Sequence, residues 1–107
     1  MAREQPAMHY LYRAIDALSA GLDKNPLRQR LMASLRHPPE SLRAFAVPTL
    51  WLTGEEDLVY PPFVSAAFAP LMPNARHESV PAAGHSVYFE RPAEFNRAVD
   101  AFLSENI

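Results

Sequence analysis

The sequence predicts an α/β protein whose sheet is made of short parallel strands with flanking helices, and three observations carry that prediction. From residue 49 onward the pattern runs strand, helix, strand, helix, an order that lays helices on the faces of a parallel sheet. Before it, apolar residues recur at three- and four-residue steps, the helical period. The eleven prolines fall between these stretches rather than in one low-complexity run, so they punctuate the elements.

Taken in order, Met8, Leu11, Tyr12, Ile15 and Leu18 place one face of a helix over residues 6–22, with Gly21 suited to its stop. Asn25 before Pro26 resembles an N-cap, and Leu27, Leu31 and Leu35 carry a second helix to Pro38-Pro39. A short third helix is expected over residues 41–44, with Ser41 capping. Residues 49–53 are mostly apolar and bounded by Pro48 and Gly54, as for a strand covered on both faces, with Trp51 in its core. Pro61-Pro62 opens a helix whose inward face is read as Phe63, Ala66, Ala67 and Leu71. Residues 76–80 form a second strand despite the polar His77 and Glu78. Pro92 starts a last helix, with Phe95, Val99, Phe102 and Leu103 facing inward.

Composition narrows the classes of function. A chain of 107 residues fits one domain, and a domain of this size buries about 60 to 70% of its unfolded surface. Twelve acidic against ten basic residues, with no basic run interleaved with aromatics, argue against nucleic acid as a partner. The absence of cysteine removes disulfide and thiolate chemistry. His9, His37 and His77 lack ligand spacing, so neither a metal site nor a cofactor is expected. With no continuous apolar stretch at the N-terminus, a soluble, cytoplasmic protein that does not engage a membrane is expected.

Two strands do not make an independent sheet, because an isolated pair exposes both edges and is marginal in water. Further strands are therefore expected from another copy or from upstream polypeptide. The chemistry-bearing residues point the same way. The run Val47-Pro48-Thr49-Leu50-Trp51-Leu52-Thr53-Gly54-Glu55-Glu56-Asp57 delivers an acid after a strand, and Ala82-Ala83-Gly84-His85-Ser86 delivers a histidine after the next. The only glycines are Gly21, Gly54 and Gly84, so no Gly-x-Ser-x-Gly accompanies them.

These two runs, with Pro61-Pro62 behind the first and Glu90-x-Pro92-x-x-Phe95 behind the second, resemble the acid and histidine loops of the α/β-hydrolase family. The resemblance covers residues 45–107 and implies the C-terminal fragment of an α/β-hydrolase fold. It divides the chain into a helical cap-like segment, residues 1–45, and a strand-helix-strand-helix part of the core, residues 46–107. It implies that Asp57 orients and stabilises the imidazole of His85, and that His85 acts as general base and then general acid. In the family's chain order a serine and its oxyanion hole come upstream, so the nucleophile is not expected in this chain. Each absent oxyanion donor forgoes about 2.7 to 4 kcal/mol, and the chain alone is expected to be inactive.

The remaining candidates have plainer readings. Asp57 alone would be an ordinary turn residue, and His85 an ordinary loop histidine; their pairing in order lifts both above that. Glu55 reads as a solvated acid and Glu56 as a fallback for Asp57. Ser86 adjoins His85 too closely in sequence to serve as its nucleophile. Glu90 with Arg91 reads as fixing the start of the last helix or as a surface pair. Met8, Tyr10, Leu11, Tyr12, Leu31 and Met32 read as the core of a helical hairpin more readily than as a pocket lining, so substrate-binding residues stay unassigned. The leading expectation is hydrolysis of a small ester, amide or carbon-carbon bond substrate. Its rival is a non-catalytic half-fold that oligomerises or pairs with a partner through an open sheet edge.

Overall fold

A mostly apolar run between Pro48 and Gly54, and a largely polar one ending in Val80 between Asn74 and Pro81, set the framework on which the rest of the second half hangs. In the computed structural model, which describes residues 5–107, they form β1 (Thr49–Gly54) and β2 (Ala75–Val80). The two pair in parallel, from Thr49 opposite Ala75 to Gly54 opposite Val80, and make a two-stranded sheet among the described residues. The chain divides into two compact units, Met1–Pro38 and Pro39–Ile107.

In the first unit lie α1 (Pro6–Ala17) and α2 (Asn25–Ser34), each with proline in its first turn, where the missing N–H costs nothing. Asn25 is inside α2 rather than capping it: the Asp23 carboxylate accepts the Asn25 N–H at 3.0 Å. Neither helix buries a side chain. The hairpin-core reading is thus corrected, since Tyr10, Leu11, Tyr12, Leu31 and Met32 are all exposed and Met8 is only half-buried. The apolar stripe exists, but two short helices have too little surface to cover one another's.

The second unit opens with a 3-10 helix over Pro39–Ala44, longer than the short helix expected at residues 41–44 and with fewer residues per turn than an α-helix. After β1 come α3 (Pro62–Phe68), a 3-10 turn over Ala69–Leu71, and β2; then α4 (Val87–Glu90) and α5 (Pro92–Asn106). Most of the face read as inward on α3 is turned out, with Phe63, Ala66 and Ala67 exposed and Leu71 half-buried, while Ser65 and Ala69 are buried and Phe68 stacks on Trp51 at 6.4 Å. Alanines give little hydrophobic contrast with serine, and Ser65 is the helix residue that is fully buried. On α5, Ala98 is the fully buried residue, Phe95, Val99 and Phe102 are half-buried, and Leu103 is exposed.

Burial rises toward the C-terminal ends of the strands. Residues 49–52 of β1 are half-buried, whereas Thr53 and Gly54 are buried, as is Val80 at the end of β2. The strand is therefore not covered along both faces. Two polar side chains of β2 are satisfied in place, His77 by Thr53 Oγ1 at 2.8 Å and Glu78 by Arg97 at 2.7 Å, while Ser79 Oγ is buried without a hydrogen-bond partner among the described residues. The core is Val80, Ala83 and Val87, with Leu52 and Phe95 packed on it. Burying a valine contributes about 1.5 to 3 kcal/mol, and here it anchors the loop that follows β2.

Candidate active site

Two loops leave the buried ends of the strands, residues 55–60 after β1 and residues 81–86 after β2. They are stitched together by backbone. The Glu55 N–H donates to Val80 O at 3.0 Å, and the Glu56 N–H donates to Ala83 O at 2.9 Å. Gly54 permits this approach, because a Cβ there would run into the carbonyl oxygens of Ala83 and Gly84 and lie 2.6 Å from the Ala83 carbonyl carbon. The following turn is tight enough to hold Ala82 at φ 51°, the left-handed region that L-residues avoid.

Asp57 sits where these loops meet, 5% exposed. Its Oδ1 accepts the N–H groups of Val59 at 2.8 Å and Tyr60 at 2.9 Å, the self-bonding turn that aspartate favours. Its Oδ2 lies 2.9 Å from His85 Nδ1. Burial pushes the carboxyl up. The hydrogen bonds from Tyr60, His85 and Val59, with the electrostatic pull of His85, outweigh burial and hold it below its ordinary value. An ionised carboxylate only accepts hydrogen bonds, so His85 Nδ1 must be the protonated ring nitrogen.

His85 presents the opposite profile, with 57% of its side chain exposed. Its Nε2 is bonded to no described residue, which leaves that nitrogen open to a proton from outside. One ring edge is thus fixed by a buried acceptor and the other faces solvent. Such a pair can take a proton at Nε2, have the resulting positive charge stabilised through Nδ1, and return the proton.

The structure brings together the two residues that the sequence paired, and it leaves the others apart. Glu55 and Glu56 are exposed and contribute only main-chain bonds to the site. Ser86 is buried, with its N–H on Glu90 and its carbonyl accepting from Phe89 and Glu90. His77 is bound to Thr53, and no group of three or more metal-binding side chains occurs among the described residues. Among the same residues no helix is long and apolar enough to cross a membrane. Of the pair read at the start of the last helix, Arg91 stands there and the Glu90 side chain turns the other way. That helix has Arg91 at its N-cap and Glu94 in its first turn, while the Glu90 carboxylate reaches back to Gly84 and Ser86.

Similarity to known proteins gives the chain a fold family. Residues 4–92 match the family model described as the alpha/beta hydrolase fold. BpoC of Mycobacterium tuberculosis, which carries the name of a non-heme bromoperoxidase, is 34% identical over 87 residues, 81% of this chain and 30% of that protein. The 2-hydroxy-6-oxo-6-(2'-aminophenyl)hexa-2,4-dienoic acid hydrolase of Metapseudomonas resinovorans is 33% identical over 75 residues, 70% of this chain and 26% of that protein. Among solved structures, a serine hydrolase involved in carbazole degradation, CarC, superposes with a TM-score of 0.62 at 33% identity, over 70% of this chain and 29% of that one. The chain belongs to the α/β-hydrolase fold family. It spans less than a third of the length of these relatives.

Proposed function

We propose that this chain is the C-terminal part of an α/β-hydrolase and supplies the acid, Asp57, and the base, His85, for a nucleophile carried on polypeptide outside it. The observation that supports this reading is the 2.9 Å contact between a buried, hydrogen-bonded carboxylate and an imidazole whose second nitrogen is exposed. His85 Nε2 takes the hydroxyl proton as the nucleophile's oxygen bonds the substrate carbon. The same proton passes to the leaving group as the old bond breaks. Water then repeats the exchange and frees the product acid. A small ester, amide or carbon-carbon bond is the substrate class, in keeping with the hydrolase names among the relatives.

The experiment compares this chain alone with the chain joined to its missing N-terminal hydrolase half, on a short-chain nitrophenyl ester. The chain alone is expected to be inactive and the joined protein active, with His85→Ala slowing the joined protein by about 10²- to 10⁴-fold. Activity of the joined protein that survives His85→Ala would rule out the role given to the histidine.

The two-stranded sheet supports one other reading, a non-catalytic half-fold that self-associates or pairs with a partner through its strand edges. Light scattering after size exclusion separates the two. A defined oligomer, with no turnover in the joined protein, would favour the half-fold.

A further inference from the structure

We propose that Glu90 is a positioning residue for His85, acting by clamping the backbone on both sides of it; this rests on the reading of Asp57 and His85 as a working pair. The Glu90 carboxylate spans the histidine. Its Oε2 accepts the Gly84 N–H at 3.0 Å and its Oε1 accepts the Ser86 N–H at 3.3 Å, one residue before and one after His85. The Glu90 N–H in turn donates to Ser86 O at 2.8 Å, so the single turn of α4 closes on the loop it stabilises. The arrangement is related to a capping box, in which an acid inside a helix returns to the N–H of the residue that begins it.

Gly84 belongs to the same device. A Cβ there would stand 3.1 Å from Glu90 Oε1 and 3.4 Å from Oε2, so a side chain would press on the carboxylate at the point where it meets the loop. Ala83 and Val87, both buried in the core, anchor the segment on either side. His85 is itself exposed and has one side-chain bond, to Asp57. With a mobile backbone, one bond at one edge of an exposed ring would not hold a single ring orientation. The clamp removes that freedom, so that Nδ1 faces Asp57 and Nε2 faces outward.

The test is nitrogen-15 NMR of the histidine side chains in the full 107-residue chain, read as the tautomer of neutral His85. The wild-type ring is expected to carry its proton on Nδ1. Glu90→Ala removes both acceptors and is expected to return the majority to the Nε2-protonated form that an unconstrained imidazole prefers in water. Glu90→Gln keeps one acceptor oxygen and is expected to fall between. Retained amide dispersion in β1 and β2 separates this from unfolding, and where Glu90→Ala loses it, Glu90→Gln decides. A tautomer unchanged in a folded Glu90 variant would overturn the proposal while leaving the Asp57 pair standing. Unfolding of both variants would also overturn it, by assigning Glu90 to the fold. A wild-type ring without the Nδ1 proton would instead defeat the underlying pair.

Discussion

Residues 55–60 brace themselves, with the Asp57 side chain accepting two N–H groups from the turn it belongs to. Residues 81–86 have no such internal brace and are held by the Glu56 N–H on Ala83 O, an approach that Gly54 admits, and by the Glu90 carboxylate. The acid is buried and fixed by its own turn; the histidine is exposed and fixed by groups outside its loop. A general base, the role proposed for His85, has to meet a substrate and cannot be immobilised by burial, so its backbone is the part left to be held. Damage to the acid loop should therefore act through one residue, and damage to the histidine loop through several.

The change expected to do most harm strikes both loops. Gly54→Ala drives a methyl into the Ala83 and Gly84 carbonyls, and overpacking of this kind costs about 1 to 3 kcal/mol. Urea unfolding should show that loss together with the loss of the Asp57–His85 contact; a fully stable variant would mean that the loops have room to part.

Next comes Asp57→Asn, which removes an ionised acceptor and should cost about 1 to 3 kcal/mol at neutral pH. The sign with pH follows from the lowered carboxyl. The unfolded chain binds the proton first as pH falls, so the stabilisation is complete above the ordinary aspartate range. It is lost as pH drops through the lower folded value. Thermal melts from neutral to acid pH should therefore show wild type and Asp57→Asn converging in acid, and a gap that stays constant would contradict the assignment.

A smaller effect of opposite sign is expected in the histidine loop. Ala82→Gly relieves a left-handed alanine, worth about 1 to 2 kcal/mol, against about 0.4 to 1 kcal/mol of added unfolded-chain entropy. A net gain of about 0.5 to 1 kcal/mol should appear in the same urea assay, and a loss would show that the alanine methyl packs usefully. The smallest effect belongs to Glu56→Ala, below about 0.5 kcal/mol, because only the Glu56 N–H contributes to the site. A large loss there would show its side chain sharing the work of Asp57.

The same contrast explains what could be read from residues alone. Asp57 and His85 were legible because each follows a strand closely and has a local signature, an acid turn in one case and Gly84-His85 in the other. The clamp by Glu90 was not, since nothing in six residues of spacing separates reaching back to Gly84 from starting the helix ahead. Gly54 read as a strand boundary, while its reason, the approach of Ala83 O, belongs to tertiary structure. The inward face of α3 was misread because Ala66 and Ala67 offer no contrast with the buried Ser65. In the first unit the period of α1 was correct, but periodicity states that a face wants cover and not that cover is present.

The most direct measurement is a kinetic double-variant cycle in the protein joined to its nucleophile-bearing half, comparing Asp57→Asn, His85→Ala and both together. If the two loops deliver one device, the double variant should be no slower than the worse single one, as for groups that act as a unit. Rate losses that multiply would contradict the account, because they would mean that Asp57 and His85 act independently despite the hydrogen bond between them.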